Sequence, residues 1–322
     1  MNFWKDKNVV VTGGAGMVGS RLSELLLESG AQVTILDNNS RGNNYVHGAH
    51  YPDHRPADAG DLSKCCNVFR DKDAVFNLAG TIGGVYYNIS HQADQYWSNM
   101  RLQSVPALAA ARTNVPIFLQ VSSVCVYAKG YNAPALEANG HIGEPEGANA
   151  GYAWAKRMGE RVCSWAFAGT DTRYLIVRPT NIYGTRDYYD DKAHVIPALI
   201  KKFTDGREVV DVYGGAQTRE FVYADDVAQG MMTVAAYGVN KQAYNLGTSA
   251  ATQVSIAHLA ELIKRLTRSP ATINYIHTQP TGDEHRHTNS HKALVLGWKY
   301  TVGLEEGLKR VIQHRKEEQC KR

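Results

Sequence analysis

The chain has 322 residues, 43% hydrophobic and 20% charged, enough to bury a large core and to divide into two lobes. It holds no apolar run long enough to cross a bilayer and no secretory pattern ahead of its first strand-like run, so a cytoplasmic protein without a membrane partner is expected. A net charge of +4, with basic residues scattered except in the tail 314–322, argues against a nucleic-acid partner.

The first element is the run Val9, Val10, Val11, followed by TGGAGMVGS (12–20) and a helical pattern of Leu22, Leu25, Leu26 and Leu27 that ends at Gly30. Gly13, Gly16 and Gly19 fall three apart at this strand-to-helix turn. Without a Cβ the turn can be tight, the backbone can approach a pyrophosphate, and helix and strand can pack closely. The helix start, at Met17 and Val18, then offers N–H groups and partial positive charge to phosphates. A second apolar run, VTIL (33–36), ends in Asp37, where a carboxylate accepts hydrogen bonds from an adenosine ribose diol. Together these make one βαβ unit for a dinucleotide.

In the following loop, NNSRG (38–42), Asn38 and Arg41 are candidate cofactor contacts. Arg41 could meet an adenosine 2′-phosphate and favour NADP, whereas Asp37 repels that phosphate; NAD is the expected cofactor. Asp61, with Leu62, either reaches the adenine edge or caps a short helix. AVFNLAG (74–80) reads as a buried strand whose small end residues, at Leu78, Ala79 and Gly80, let a ligand lie across the sheet edge. The loop 81–88, with Gly83, Gly84, Tyr86 and Tyr87, is a candidate substrate wall.

A long helix is predicted over 93–113, then a strand, PIFLQV (116–121), ending at Ser122 and Ser123. Residues 128–150 read as a loop over the site. A helix opens at GYAWAK (151–156) and runs to about 168; YLIV (174–177) is a strand leading into RPTNIYG (178–184). Beyond it the rhythm loosens: helices over 194–205, 225–237, 255–268 and after Leu304, with strands over 209–213, 244–247 and 273–277. The fold class is therefore α/β: a Rossmann doubly wound parallel sheet over 1–183 with a return from about 215–247, and a smaller C-terminal α/β substrate lobe mostly over 184–322.

Tyr152 and Lys156 lie four apart, one above the other on a helix face. An ammonium beside a phenol favours the phenolate and lowers its pKa from about 10. Such a tyrosine can remove a hydroxyl proton while a nicotinamide takes the carbon-bound hydride, and Ser123 can hydrogen-bond the same oxygen. Cys65, Cys66, Cys125, Cys163 and Cys320 show no disulfide framework or metal-ligand spacing. Such thiols suit a reducing compartment. His285, His287 and His291 read as a polar cluster, and no metal is expected.

TGGAGMVGS, Asp37, Asp61, the NLA at 77–79, Asn99, Ser123, Tyr152 and Lys156, RPTNIYG, REFVYADDV (219–227) and LGW (296–298), in that order, resemble the extended short-chain dehydrogenase/reductases of the nucleotide-sugar epimerase and dehydratase group. The resemblance spans nearly the whole chain. It implies a nucleotide-diphosphate sugar as substrate, a homodimer, and cofactor contacts at Asn99, Pro179, Asn181 and Ile182 besides those above.

Dehydratases and decarboxylases of the group carry acids after the active-site serine; Val124 and Cys125 stand there in this chain. Serine, one residue, then cysteine is similar to the GDP-fucose synthases and GDP-mannose 3,5-epimerases. So are the Gly83–Gly84 loop and PTNIYG followed by His194, Val195 and the IPAL at 196–199. The resemblance implies that Cys125 and His194 exchange protons at sugar carbons 3 and 5. By spacing alone they would be a small buried hydrophobe and a helix-start residue.

Acid and base on opposite faces of a carbon beside a ketone can invert it, which a thiolate and an imidazolium can do near neutral pH. Asn181, Val195, Lys202, Arg219 and Arg286 complete the implied substrate set. Either arginine could instead sit in a surface ion pair. Fucose synthases use NADPH, whereas Asp37 favours NAD. A net 4-keto reductase, a plain 4-epimerase and a non-catalytic dinucleotide-binding protein are the alternatives.

Overall fold

The computed structural model describes every residue except 1, 45–51, 131, 132, 146, 249, 279–281, 321 and 322. Its centre is a seven-stranded sheet of β1 (Asn8–Thr12), β2 (Gln32–Asp37), β3 (Asp53–Pro56), β4 (Ala74–Asn77), β5 (Ile117–Val121), β6 (Arg173–Pro179) and, later in the chain, β11 (Ala243–Leu246). The spatial order is β11-β6-β5-β4-β1-β2-β3 and every pairing is parallel. From β1 the chain winds outward to β2 and β3, then returns and winds the other way from β4. The crevice between the carboxyl ends of β1 and β4 is thus a topological switch point, the usual place for a ligand on such a sheet.

The strands are buried on both faces because their apolar residues serve two layers in alternation. Val9, Val11, Val33, Ile35 and Phe76 enter one apolar core; Val10, Leu36, Val75 and Phe118 enter the other. The first layer is covered by α1 (Met17–Glu28) and α7 (Ala224–Tyr237). The second lies under α2 (Leu62–Phe69), α4 (Gln92–Arg112) and α5 (Ala150–Ala166).

Outside the central sheet, the described residues add three further helices and six short strands. They are α3 (Val85–Ser90), β7 (Asn181–Tyr183), α6 (Val195–Thr204), β8 (Val209–Tyr213), β9 (Thr218–Arg219), β10 (Phe221–Tyr223), β12 (Val254–Ser255), α8 (Ile256–Thr267) and β13 (Thr272–Ile276). The chain closes with α9 (His291–Val295) and α10 (Leu304–Cys320). Ile196, Leu199, Ile200 and Phe203 of α6 join Val210, Val212, Leu259, Ile263 and Leu308 in a separate apolar core.

Several elements differ from expectation, among them the short β7, β9, β10, β12 and α9, for which no element was predicted. The edge strand β3 is drawn from the polar run DHRP, which carries no strand pattern; its parallel pairing with β2 makes it a strand. The loop 81–88 coils at its far end into α3, which Gly84 precedes. Among the described residues no helix is long and apolar enough to cross a membrane, and the five cysteines are free thiols.

Candidate active site

A cleft of about 580 Å³ opens at the switch point, within the usual range of ligand pockets. Its floor begins at the glycine turn. Gly13 has φ +66°, and a Cβ there would stand 2.9 Å from the Ala79 nitrogen; one at Gly19 would stand 2.2 Å from the Gly13 carbonyl. Gly16 caps α1 with no side-chain hydrogen bond, so no side chain occupies the helix start. Gly13, Gly16, Met17, Val18, Asp37, Asn38, Arg41, Leu78, Ala79 and Gly80 all line the cleft. A turn without room for a Cβ and an uncapped helix start in the cleft wall fit the pyrophosphate of a dinucleotide. Asp37 is fixed by two backbone donors: its carboxylate accepts from Ala15 N–H at 3.0 Å and Asn39 N–H at 2.8 Å.

Of the two roles open to Asp61 the structure shows the helix cap, and Asn99 stands behind the cleft wall. Asp61 does not face the cleft: it caps α2, accepting from the Lys64 N–H at 3.1 Å, and Leu62 leaves with it. Asp58 and Ala59 line the wall instead, Asp58 being held by Arg101 at 2.6 Å and the Gly60 N–H at 2.8 Å. Asn99 is buried behind the wall, where it accepts from the Thr81 N–H at 3.0 Å and donates to the Thr81 carbonyl at 2.7 Å. It shapes the turn after β4 and does not line the cleft.

Ser123, Cys125, Tyr152, Lys156 and His194, from three separate segments, line this same cleft. Ser123 follows β5, and its hydroxyl accepts from the Cys125 N–H at 3.2 Å. Lys156 donates to the Val121 carbonyl at 2.7 Å and to Gln103 Oε1 at 3.1 Å, and stands 5.5 Å from the centre of the Tyr152 ring. Burial lifts the Tyr152 phenol well above its ordinary range; Cys125 adds to the rise and a hydrogen bond with Ser123 opposes it. Burial also pulls Lys156 down to about 7, against the raising influence of Cys125 and Glu160. This overturns the expectation that the lysine lowers the phenol pKa: with Nζ tied to Val121 and Gln103, desolvation dominates both groups.

Arg286 places Nη1 3.4 Å from the Cys125 sulfur and Nη2 3.3 Å from the Asp283 carboxylate, a pair only 10% and 8% exposed and so no surface bridge. Arg219 donates to the Thr218 and Asp283 carbonyls at 2.8 and 2.7 Å. His194 stands at the start of α6 with its side chain making no capping hydrogen bond. Val195 and Lys202 follow on the cleft wall, Lys202 donating to the Asp211 carbonyl at 2.7 Å. Asn181 donates to the Glu220 carbonyl at 2.9 Å, and Pro179 and Ile182 flank it on the wall. Gly83 and Gly84 line the cleft too, and a Cβ at Gly84 would stand 2.7 Å from the Ala193 carbonyl.

Asp58, Tyr213, and Asp187 and Tyr188 from the loop 185–193 also line the cleft, beyond the residues predicted; Tyr213 meets Tyr86 of the expected wall edge to face at 4.9 Å. Asp58 was hidden by the neighbouring Asp61. The loop carries no motif that could have signalled the other two.

Beneath the site lies a buried ionic network. Glu160, one helical turn beyond Lys156, takes two hydrogen bonds from Arg178 at 2.8 and 2.6 Å, one from His141 at 2.8 Å and one from Ser122. Arg178 also donates to the Glu137 carbonyl at 2.7 Å, and Arg157 to the Gly143 carbonyl at 2.6 Å. These bonds fasten parts of the loop 128–150 to β6 and α5.

A profile of the NAD dependent epimerase/dehydratase family matches residues 9–247. A GDP-L-fucose synthase of Sinorhizobium fredii is 26% identical, the match covering 94% of this chain and 93% of the relative. A probable GDP-L-fucose synthase 1 of Oryza sativa subsp. japonica is 30% identical, over 71% of this chain and 72% of the relative. Among solved structures, a UDP-glucose 4-epimerase with UDP-glucose from Thermotoga maritima matches with a TM-score of 0.87 at 25% identity, covering 97% of this chain and 99% of that one. Glycine turn, strand order and family match agree: the chain is an extended short-chain dehydrogenase/reductase enzyme and belongs to the NAD dependent epimerase/dehydratase family.

Proposed function

We propose that this chain is a redox-neutral epimerase of nucleotide-diphosphate sugars, acting at C3, C5 or both. The observation that carries the reading is the meeting of Cys125 and His194 with Ser123, Tyr152 and Lys156 on the cleft that holds the glycine turn. Gly13, Gly16, Met17, Val18, Asp37 and the end of β4 would hold NAD. When bound, the nicotinamide supplies a reversible hydride acceptor, so that C4 of the sugar is transiently a ketone.

The residues of the chain do the rest. Tyr152 takes the C4 hydroxyl proton and returns it, its hydrogen bond with Ser123 favouring the phenolate against the burial that raises its pKa, while Lys156, beside the ring, contacts the cofactor. A C4 ketone acidifies the hydrogens on both neighbouring carbons. Cys125, its sulfur 3.4 Å from the Arg286 guanidinium, removes or delivers a proton on one face; His194 serves the other. Arg219, Arg286 and Lys202 bring positive charge to the diphosphate side of the cleft. The core under α6 and α8 belongs, in this reading, to the substrate lobe. GDP sugars are the first to test, since GDP-L-fucose synthases stand among the relatives.

Replacement of Cys125 by Ser together with His194 by Asn is expected to lower epimerisation by at least about a hundredfold, the low end of what acid–base groups contribute. Bound NAD should stay in place. Full activity in the double variant would remove the proton-exchange step from the mechanism.

The resemblance to fucose synthases implies one second reading, net reduction of a 4-keto sugar with or without epimerisation. Stoichiometric NADPH oxidation per turnover selects that reading; a constant nicotinamide absorbance selects the epimerase.

The working unit we propose is a homodimer. The packed helices α4 and α5 leave Trp97 and Trp165 64% and 63% exposed, apolar surface that a second copy would cover. Light scattering at micromolar concentration should give twice the 35.5 kDa chain mass, and a monomer there would end the proposal.

A further inference from the structure

One cluster on the cleft wall takes no part in the chemistry just described. Arg41, four residues past Asp37, gives Nη2 to both carboxylate oxygens of Asp190, at 2.8 and 2.6 Å, and Nη1 to the Ile82 carbonyl at 3.3 Å. Its guanidinium lies 4.2 Å from the centre of the Tyr188 ring. The two loops meet again where Asn44 donates to the Tyr188 hydroxyl at 3.1 Å and the Arg186 carbonyl at 3.2 Å. Arg186 in turn binds Glu24 of α1 at 2.6 Å. Arg41 is therefore pinned between a ring, a carbonyl and a carboxylate.

We infer that Asp190 is a determinant of cofactor choice. By holding Arg41 in a two-oxygen ion pair, it withholds from an adenosine 2′-phosphate the cation that would neutralise it, and the site takes NAD in preference to NADP. The inference rests on the reading of this cleft as a dinucleotide site.

Charge and geometry agree. Arg41 stands over the Tyr188 ring, and Asp37, Arg41 and Tyr188 line the same cleft. A 2′-phosphate reaching that guanidinium would meet the Asp190 carboxylate already on it, with the Asp37 carboxylate on the same cleft. That phosphate carries up to about two negative charges at neutral pH, as other phosphate monoesters do. A ribose diol is neutral, and it donates to Asp37 without needing Arg41. The ion pair is 25% and 49% exposed on its two sides, so it adds little stability; its effect is on where the guanidinium is held. An arginine near the second strand would ordinarily suggest NADP. Here the partner that redirects it comes from a loop 149 residues further along the chain.

The test is titration calorimetry with NAD+ and with NADP+ on protein freed of bound nucleotide. It compares the parent chain, Asp190→Ala, Asp190→Asn and the double variant Arg41→Ala/Asp190→Ala. Removing the carboxylate should tighten NADP+ binding by about tenfold or more, the scale of a charge-assisted hydrogen-bonded pair, with NAD+ changed by less than about threefold. The isosteric Asp190→Asn should behave alike, and the double variant should lose the gain. An unchanged NADP+ to NAD+ ratio, or a gain that survives loss of Arg41, overturns the inference while leaving the dinucleotide site intact. No binding of either nucleotide to the parent chain overturns both.

Discussion

Tyr152→Phe is expected to lower turnover of the nucleotide sugar by about a thousandfold, within the range that a positioned acid–base group contributes. The substitution keeps the ring in its buried seat and removes only the hydroxyl bonded to Ser123. Fold and thermal midpoint should therefore change little, which separates lost chemistry from lost structure. Lys156→Met should fall by a similar factor for a different reason. It removes the cation and leaves the Val121 carbonyl and Gln103 Oε1 without that donor. Single-turnover reduction of bound nicotinamide checks both variants. A Tyr152→Phe protein that retains more than about a tenth of parent activity would take this phenol out of the mechanism.

The second large effect is on stability. Burial alone would raise the Glu160 carboxyl, but the charge and hydrogen bonds of Arg178, with those of His141 and Ser122, bring it down from 4.5 to about 2. Replacing Glu160 by Gln leaves the Arg178 guanidinium, itself 3% exposed, without its counter-charge. Breaking one side of such a pair costs about 3–5 kcal/mol.

The pH dependence has a definite sign. An unfolded-chain glutamate takes up its proton near 4.5 while the folded one resists until about 2. The contribution of Glu160 is thus complete above 4.5 and drains away as the pH falls from there towards 2. Urea unfolding at pH 7 and again near pH 3 should show a wide gap between parent and Glu160→Gln that narrows in acid. An equal gap at both would mean that the ion pair is not what the substitution removes.

The same network explains why the site residues hold together. Ser122 precedes Ser123, Glu160 lies a turn from Lys156, and Arg178 precedes Pro179, so one ion pair ties the ends of β5, α5 and β6.

What could be read from the chain beforehand follows the reach of each signal. The glycine turn, Asp37 and the Tyr152/Lys156 pair are local patterns, and each lines the cleft as expected. Strands β1, β2, β4, β5 and β6 announced themselves as apolar runs because both faces of the sheet are covered. The polar β3 did not, since its ladder with β2 supplies what its side chains do not.

Asp61 and Asn99 show the limit of motif reading. A matching residue can serve the wall from behind, by capping α2 or by bonding Thr81. The electrostatics of Tyr152 were misjudged for a similar reason. Four residues of helical spacing place an ammonium near a phenol but say nothing of Val121, Gln103 or the depth of burial. The loop 185–193 was opaque because its roles depend on distant partners, Arg41 for Asp190 and Glu24 for Arg186.

The most direct test is hydrogen exchange into the sugar. The purified protein would be incubated with GDP-, UDP- and dTDP-hexoses in D2O, without added cofactor, and followed by proton NMR. Deuterium is expected to enter C3 or C5 of one of these sugars with no net oxidation or reduction of nicotinamide. No exchange into any of them, with turnover of a 4-keto sugar only when NADPH is supplied, would contradict the epimerase reading and make this chain a reductase.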